Sequence, residues 1–127
     1  MSKWAHDDVL DAMGDYISTN GDYQYLCTDE LSDPPTYTEV TSTYALTGAI
    51  DLSGDFTQED GDVSGRQLTI AAHASQSITA NGDTGHICIV DSGNSKVLAC
   101  IVISTQAVTS GGLISLPEYS LENRDPI

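Results

Sequence analysis

Basic residues are nearly missing from this chain. Its 127 residues include four Lys and Arg against nineteen Asp and Glu, for a formal net charge of −15. Nucleic-acid binding needs a basic stripe to neutralise phosphates, and Lys3, Arg66, Lys96 and Arg124 cannot form one. The same deficit predicts repulsion from anionic membranes. Long apolar runs are also missing: no stretch approaches the roughly 18 residues that cross a bilayer. The opening Met1-Ser2-Lys3-Trp4 has no apolar signal segment, so synthesis in the cytoplasm is expected.

The spacings that carry chemistry are missing too. His6, His73 and His86 form no HxxH, HExxH or HxH pattern. Gly61-Asp62-Val63-Ser64-Gly65 is not a nucleophile elbow, and no spacing supplies a His and an Asp to a serine. Asp51-x-Ser53-x-Asp55 begins like a calcium loop, but Phe56 stands where Gly is required and Asp62 where Glu is. Asp55, Glu59, Asp60 and Asp62 read as a solvated acidic turn. There is no glycine-rich phosphate loop. Hence no catalytic residue, no metal and no cofactor is expected, and the chain is not read as an enzyme.

What is present is an apolar hairpin. In Gly85–Ser104 two arms, His86–Asp91 and Lys96–Ser104, flank the polar turn Ser92-Gly93-Asn94-Ser95. A half-buried strand alternates apolar and polar residues, whereas these arms are apolar almost throughout and rich in β-branched residues. Cover on both faces is therefore expected. Cys27, Cys88 and Cys100 are odd in number and lack CxxC spacing, which suggests three reduced, packed thiols. His86 reads as a strand-end residue at a sheet edge, and His6 as a helix N-terminal residue.

One long helix is expected over Ala5–Ser18, with Val9, Leu10, Met13, Tyr16 and Ile17 forming an apolar stripe. Asn20-Gly21 should stop it through a left-handed glycine. The stripe is the candidate cover for the hairpin. Tyr23–Thr28 reads as a strand, Asp29–Pro35 as a loop, and Tyr37–Ser42 as a short helical turn. Further strands are expected at Arg66–Ala74, Gln76–Ala80, Leu113–Leu116 and Tyr119–Glu122, with Asn81-Gly82 as a hairpin turn. The fold class is mainly β: a single domain over residues 1–127, an antiparallel β-sandwich or barrel of about seven short strands over residues 23–124, with one N-terminal amphipathic helix. Arg66 can pair with a carboxylate of the Asp60–Asp62 turn or bridge to an acidic patch on a partner.

Four segments carry a resemblance: MSKWAHDDVLDA (Met1–Ala12), DFTQEDGDVSGRQLTIAAHA (Asp55–Ala74), GHICIVDSGNSKVL (Gly85–Leu98) and ENRDP (Glu122–Pro126). Their order resembles a family of small structural proteins of tailed-bacteriophage virions, over nearly the whole chain. The resemblance implies a decoration (cement) protein on the outer surface of the head. Such a protein binds the major capsid protein as a homotrimer or other homo-oligomer. The alternative it implies is a tail- or fibre-associated adaptor that contacts a tail protein or the host. The acidity fits an outward-facing surface away from packaged DNA. Trp, Tyr and Arg are enriched at binding hot spots. Trp4, Tyr37, Arg66 and Arg124 are accordingly the expected partner contacts.

Overall fold

The computed structural model describes residues 6–60 and 65–123. Helix α1 (Asp7–Asn20) is followed by β1 (Tyr23–Thr28), a helical turn (Glu39–Thr43), β2 (Ile50–Asp51), β3 (Phe56–Asp60), β4 (Arg66–Ile70) and β5 (His73–Ser77). The hairpin β6 (Gly82–Asp91) and β7 (Lys96–Val102) comes next. Then follow β8 (Ala107–Val108), β9 (Leu113–Leu116) and β10 (Tyr119–Asn123). The protein is mainly β, with antiparallel pairing throughout and one N-terminal helix, as the sequence predicts. The described strands number ten rather than seven. β2 and β8 are too short to show a period. The sequence of β3, FTQED, reads as a turn because its polar residues face solvent.

The strands do not close into a single barrel. The main sheet runs β2-β1-β6-β7, with β8 added to the start of β6; a second sheet runs β10-β4-β3, and β5 pairs with β9. The expected strand Arg66–Ala74 breaks after Ile70, and the chain crosses there from the second sheet to the β5–β9 pair. Asn81-Gly82 is not a hairpin turn, because β5 pairs with β9 and Gly82 opens β6 opposite Val108. A strong turn dipeptide permits a reversal, but pairing decides whether one occurs.

β1 and β6 are covered on both faces. On one face Leu26, Leu46, Ile50, Ile78, Ile87 and Leu116 pack together. Ile17, Leu52, Leu68, Ile70 and Ile89 continue that face toward the second sheet. On the opposite face Cys27, Val40, Cys88 and Val90 lie under the segment that includes Leu31 and the helical turn. Full burial of such side chains contributes about 1.5–3 kcal/mol each. The alternation places Ile87 and Ile89 inward and Cys88 and Val90 outward, so an unbroken apolar run serves two cores. At Gly85 the backbone of Asp29 lies so close that a Cβ would meet its Cα at 2.4 Å. Only glycine fits there.

The helix departs from expectation in what it covers. α1 rests mainly on β4, β10 and β3 rather than on the hairpin; Ile17, in its last turn, belongs to the core cluster that also holds Ile89. Most of the expected stripe faces out: Val9 is 65%, Tyr16 50% and Met13 38% exposed. Among the described side chains of the helix, Gly14 and Ile17 are the buried positions. The contact with β3 passes through Gly14 and the Gln58 side chain, which donates to Asp15. Gly21 ends the helix without a left-handed φ. It serves by size, since its N–H donates to the Ile17 carbonyl at 2.7 Å and a Cβ would strike that oxygen and Ile89.

Candidate functional site

Local chemistry builds the loop beside the hairpin. Glu39 at the start of the helical turn accepts from the Thr36 N–H at 3.0 Å, and Thr36 Oγ1 accepts from the Glu39 N–H at 3.1 Å. This reciprocal pairing of Thr with the Glu three residues on caps the turn. The carboxylate also receives Ser32 Oγ and the Ser32 N–H. The Ser32 hydroxyl, followed by the Thr36 N–H, holds the Glu39 carboxyl down at about 2. Tyr44 N–H donates to the Glu39 carbonyl, five residues back, and this widens the turn. Tyr37 sits half-buried at the head of the same turn, and its carbonyl accepts from Thr41.

The loop stops short of the hairpin's edge. Leu31, Ser32, Asp33 and Pro35 form one wall of a groove of about 250 Å³; His86, Cys100 and Val102 form the other. Val102 is 81% exposed. Cys88 and Cys100 are cross-strand neighbours joined by a disulfide, which corrects the expectation of three free thiols. Their spacing of twelve along the chain hides a direct opposition across the hairpin. Cys27 is the buried free thiol, near the Val40 carbonyl, and burial pushes it up to about 12. His86 lies in the interior strand β6, between β1 and β7, and not at an edge. Its Nδ1 donates to the Thr28 carbonyl at 3.0 Å.

Arg66 is committed inside the molecule. Its Nε donates to Asp11 of α1 at 2.9 Å and its Nη1 to Asp60 of β3 at 2.8 Å. These two carboxylates raise its pKa. The internal pairing with Asp60 is as the sequence suggested, and Asp11 was hidden by 55 residues of separation. Trp4 and Arg124 lie outside the described residues. Tyr37 and Arg66 do not share a patch: one sits against β1, the other between α1 and β3.

A half-buried polar chain, centred on the fully buried Gln24, escaped the sequence reading altogether. Tyr119 Oη donates to Gln24 Oε1 at 2.7 Å, and Gln24 Nε2 meets His73 Nδ1 at 2.9 Å. His73 Nε2 meets Asp55 Oδ2 at 2.8 Å. The arrangement assigns a proton to Nε2 and acceptance to Nδ1. Burial raises the pKa of Tyr119, which keeps it a donor. Ser75 and Ser77, on the same strand as His73, line a cleft of about 300 Å³. With both ring nitrogens occupied, His73 has none left to act as a base toward either serine. The chain ties β1, β5 and β10 together. The one sequence signal for it is Gln24, a polar residue in the strand YQYLCT at a position that is fully buried.

No metal-ligand cluster of three or more His, Cys, Asp or Glu occurs among the described residues. No helix among them is long and apolar enough to cross a membrane. No protein-family model, curated protein or solved structure matches this chain. The resemblance to phage virion proteins therefore rests on its quoted segments alone.

Proposed function

We propose that this protein is a structural component of a tailed-phage virion, a decoration protein that docks on the outside of the head and bridges capsid subunits. The observation that carries this reading is the outward apolar face of α1. Val9, Met13 and Tyr16 stand exposed on a protein of net charge −15, where solvated carboxylates would be the ordinary surface. The stripe begins five residues after Trp4, an expected contact, and both belong to one N-terminal segment. A helix that presents its apolar residues outward is suited to a groove on a larger body. The acidic remainder keeps the copies soluble and away from packaged nucleic acid.

Cement of this kind works additively. Each copy adds interface at a strained contact of the shell, and a standard interface buries about 1,200–2,000 Å². Many copies bound only to the assembled state stabilise it by mass action. The test is co-sedimentation of the purified chain with purified capsids. Saturable binding is expected, with occupancy falling at least about tenfold in Tyr16→Asp and Trp4→Ala variants, as for loss of a hot-spot residue. Full occupancy by both variants, or no binding by the parent chain, would overturn the reading. Binding along the tail instead of the head would favour the adaptor role.

A further inference from the structure

The disulfide between β6 and β7 is open to solution at one sulfur. Cys88 is fully buried, in the cluster with Cys27, Val40 and Val90. Cys100, half-buried on the last strand of the main sheet, lines the groove under the Leu31–Pro35 loop. His86 lies two residues before Cys88 on the same face of β6 and lines that groove too. Its Nδ1 is committed to the Thr28 carbonyl, and no described hydrogen bond reaches its Nε2. The neutral ring therefore carries its proton on Nδ1 and a lone pair on Nε2. Disulfides exchange when a thiolate attacks one of the two sulfurs, and access selects which.

We propose that this groove is a thiol-exchange site, which takes a small cationic thiol onto Cys100 and releases Cys88. The thiol gives its proton to His86 Nε2, and its sulfur attacks Cys100 Sγ. The Cys88–Cys100 bond breaks and its electron pair leaves on Cys88 Sγ, where the proton held by His86 neutralises it. The products are a mixed disulfide at Cys100 and a Cys88 thiol, so one disulfide and one thiol are exchanged for another of each. Attack at Cys88 would release the better solvated Cys100, but that sulfur is sealed. Cys27 shares the cluster with Cys88, and burial pushes it up to about 12, so it stays a thiol and displaces neither sulfur. The cationic preference follows from the walls. Asp33 is the acidic residue among them, no Lys or Arg stands with it among the described lining, and the chain carries −15. An anionic thiol is repelled there, whereas an ammonium close to the sulfur is drawn to Asp33. The exchange is independent of the capsid reading.

The experiment is a timed reaction of the full chain with cysteamine, quenched early with acid and read by mass spectrometry of its peptides. Cysteamine is expected on Cys100, with Cys88 newly open to alkylation on unfolding. In denaturing urea both sulfurs are accessible, and adducts should divide between them. Corrected for thiolate fraction, cysteamine should react at least about tenfold faster than mercaptoacetate at low salt. That gap should close at about 1 M salt, where the Debye length is about 3 Å, and should narrow in Asp33→Asn. From about pH 8 to about pH 7 the thiolate fraction of an ordinary thiol falls about eightfold. His86→Gln should slow by that factor, while the parent rate should hold within about twofold because the base forms the thiolate in place. An early adduct on Cys88, or a disulfide inert to cysteamine in the folded chain, overturns the proposal. So do equal rates for the two thiols, a gap unmoved by Asp33→Asn, or a parent rate that falls with pH as the thiolate does; the parent-chain results decide even where a variant fails to fold.

Discussion

The two arms of the central hairpin have nearly the same composition and opposite situations. In β6, Ile87, Cys88, Ile89 and Val90 are all buried; in β7, Val97 to Ile101 are only half-buried and Val102 is exposed. β-branched, apolar, strand-length sequence is common to both. The difference is position. β6 lies between β1 and β7 and receives both cores, while β7 ends the sheet where the Leu31–Pro35 loop falls short. An apolar run thus marks a strand that some surface must cover, and it is silent about whether that surface belongs to the same chain.

The largest test of this contrast is truncation of each arm in turn. Ile89→Ala should cost about 2–5 kcal/mol in urea unfolding, because the cavity opens between two sheets. Val102→Ala should change stability by no more than about 0.5 kcal/mol. Equal effects from both would end the distinction between the arms. The cross-strand disulfide comes next. Reduction, or paired Cys88→Ser and Cys100→Ser replacement, should cost about 2–3 kcal/mol for a loop of this length. Alkylation followed by mass measurement should find one free thiol, Cys27, and only after unfolding.

A smaller effect probes the half-buried polar chain through Gln24. Tyr119→Phe leaves Gln24 Oε1 without its donor and should cost about 1–3 kcal/mol in the same unfolding assay. Conservation of stability in that variant would mean that water replaces the phenol. The smallest effect concerns the loop beside β7. The Glu39 carboxyl titrates at about 2 folded, below its ordinary value of 4.5, so its ionised form is favoured by folding. Its contribution is complete above about pH 4.5 and is lost as pH falls toward 2. Amide exchange at Ser32 and Thr36 should quicken over that window in the parent chain, and should show no such step in Glu39→Gln.

Much of the architecture was legible from residue order. The hairpin, β1, the helical turn at Tyr37, β9 and β10 follow from period, turn residues and caps, which act within a few positions. The failures share one cause. Asn81-Gly82, the run Arg66–Ala74 and the paired Cys88 and Cys100 each depended on which strand lies alongside, and no local signal states that. The helix is instructive in the same way. Its stripe is apolar as predicted, yet Gly14 and the Asp11 and Asp15 contacts dock it on β4 and β3 by another face.

By itself, then, the sequence determined the fold class, the acidic surface and the presence of an apolar hairpin, because propensity, charge and period are local sums over residues. Only the tertiary structure decided that one arm of that hairpin is sealed and the other open. It alone placed the disulfide across the arms and joined Asp55, His73, Gln24 and Tyr119. These are contacts between residues far apart in the chain. Their partners are chosen by long-range packing, which no window of sequence contains.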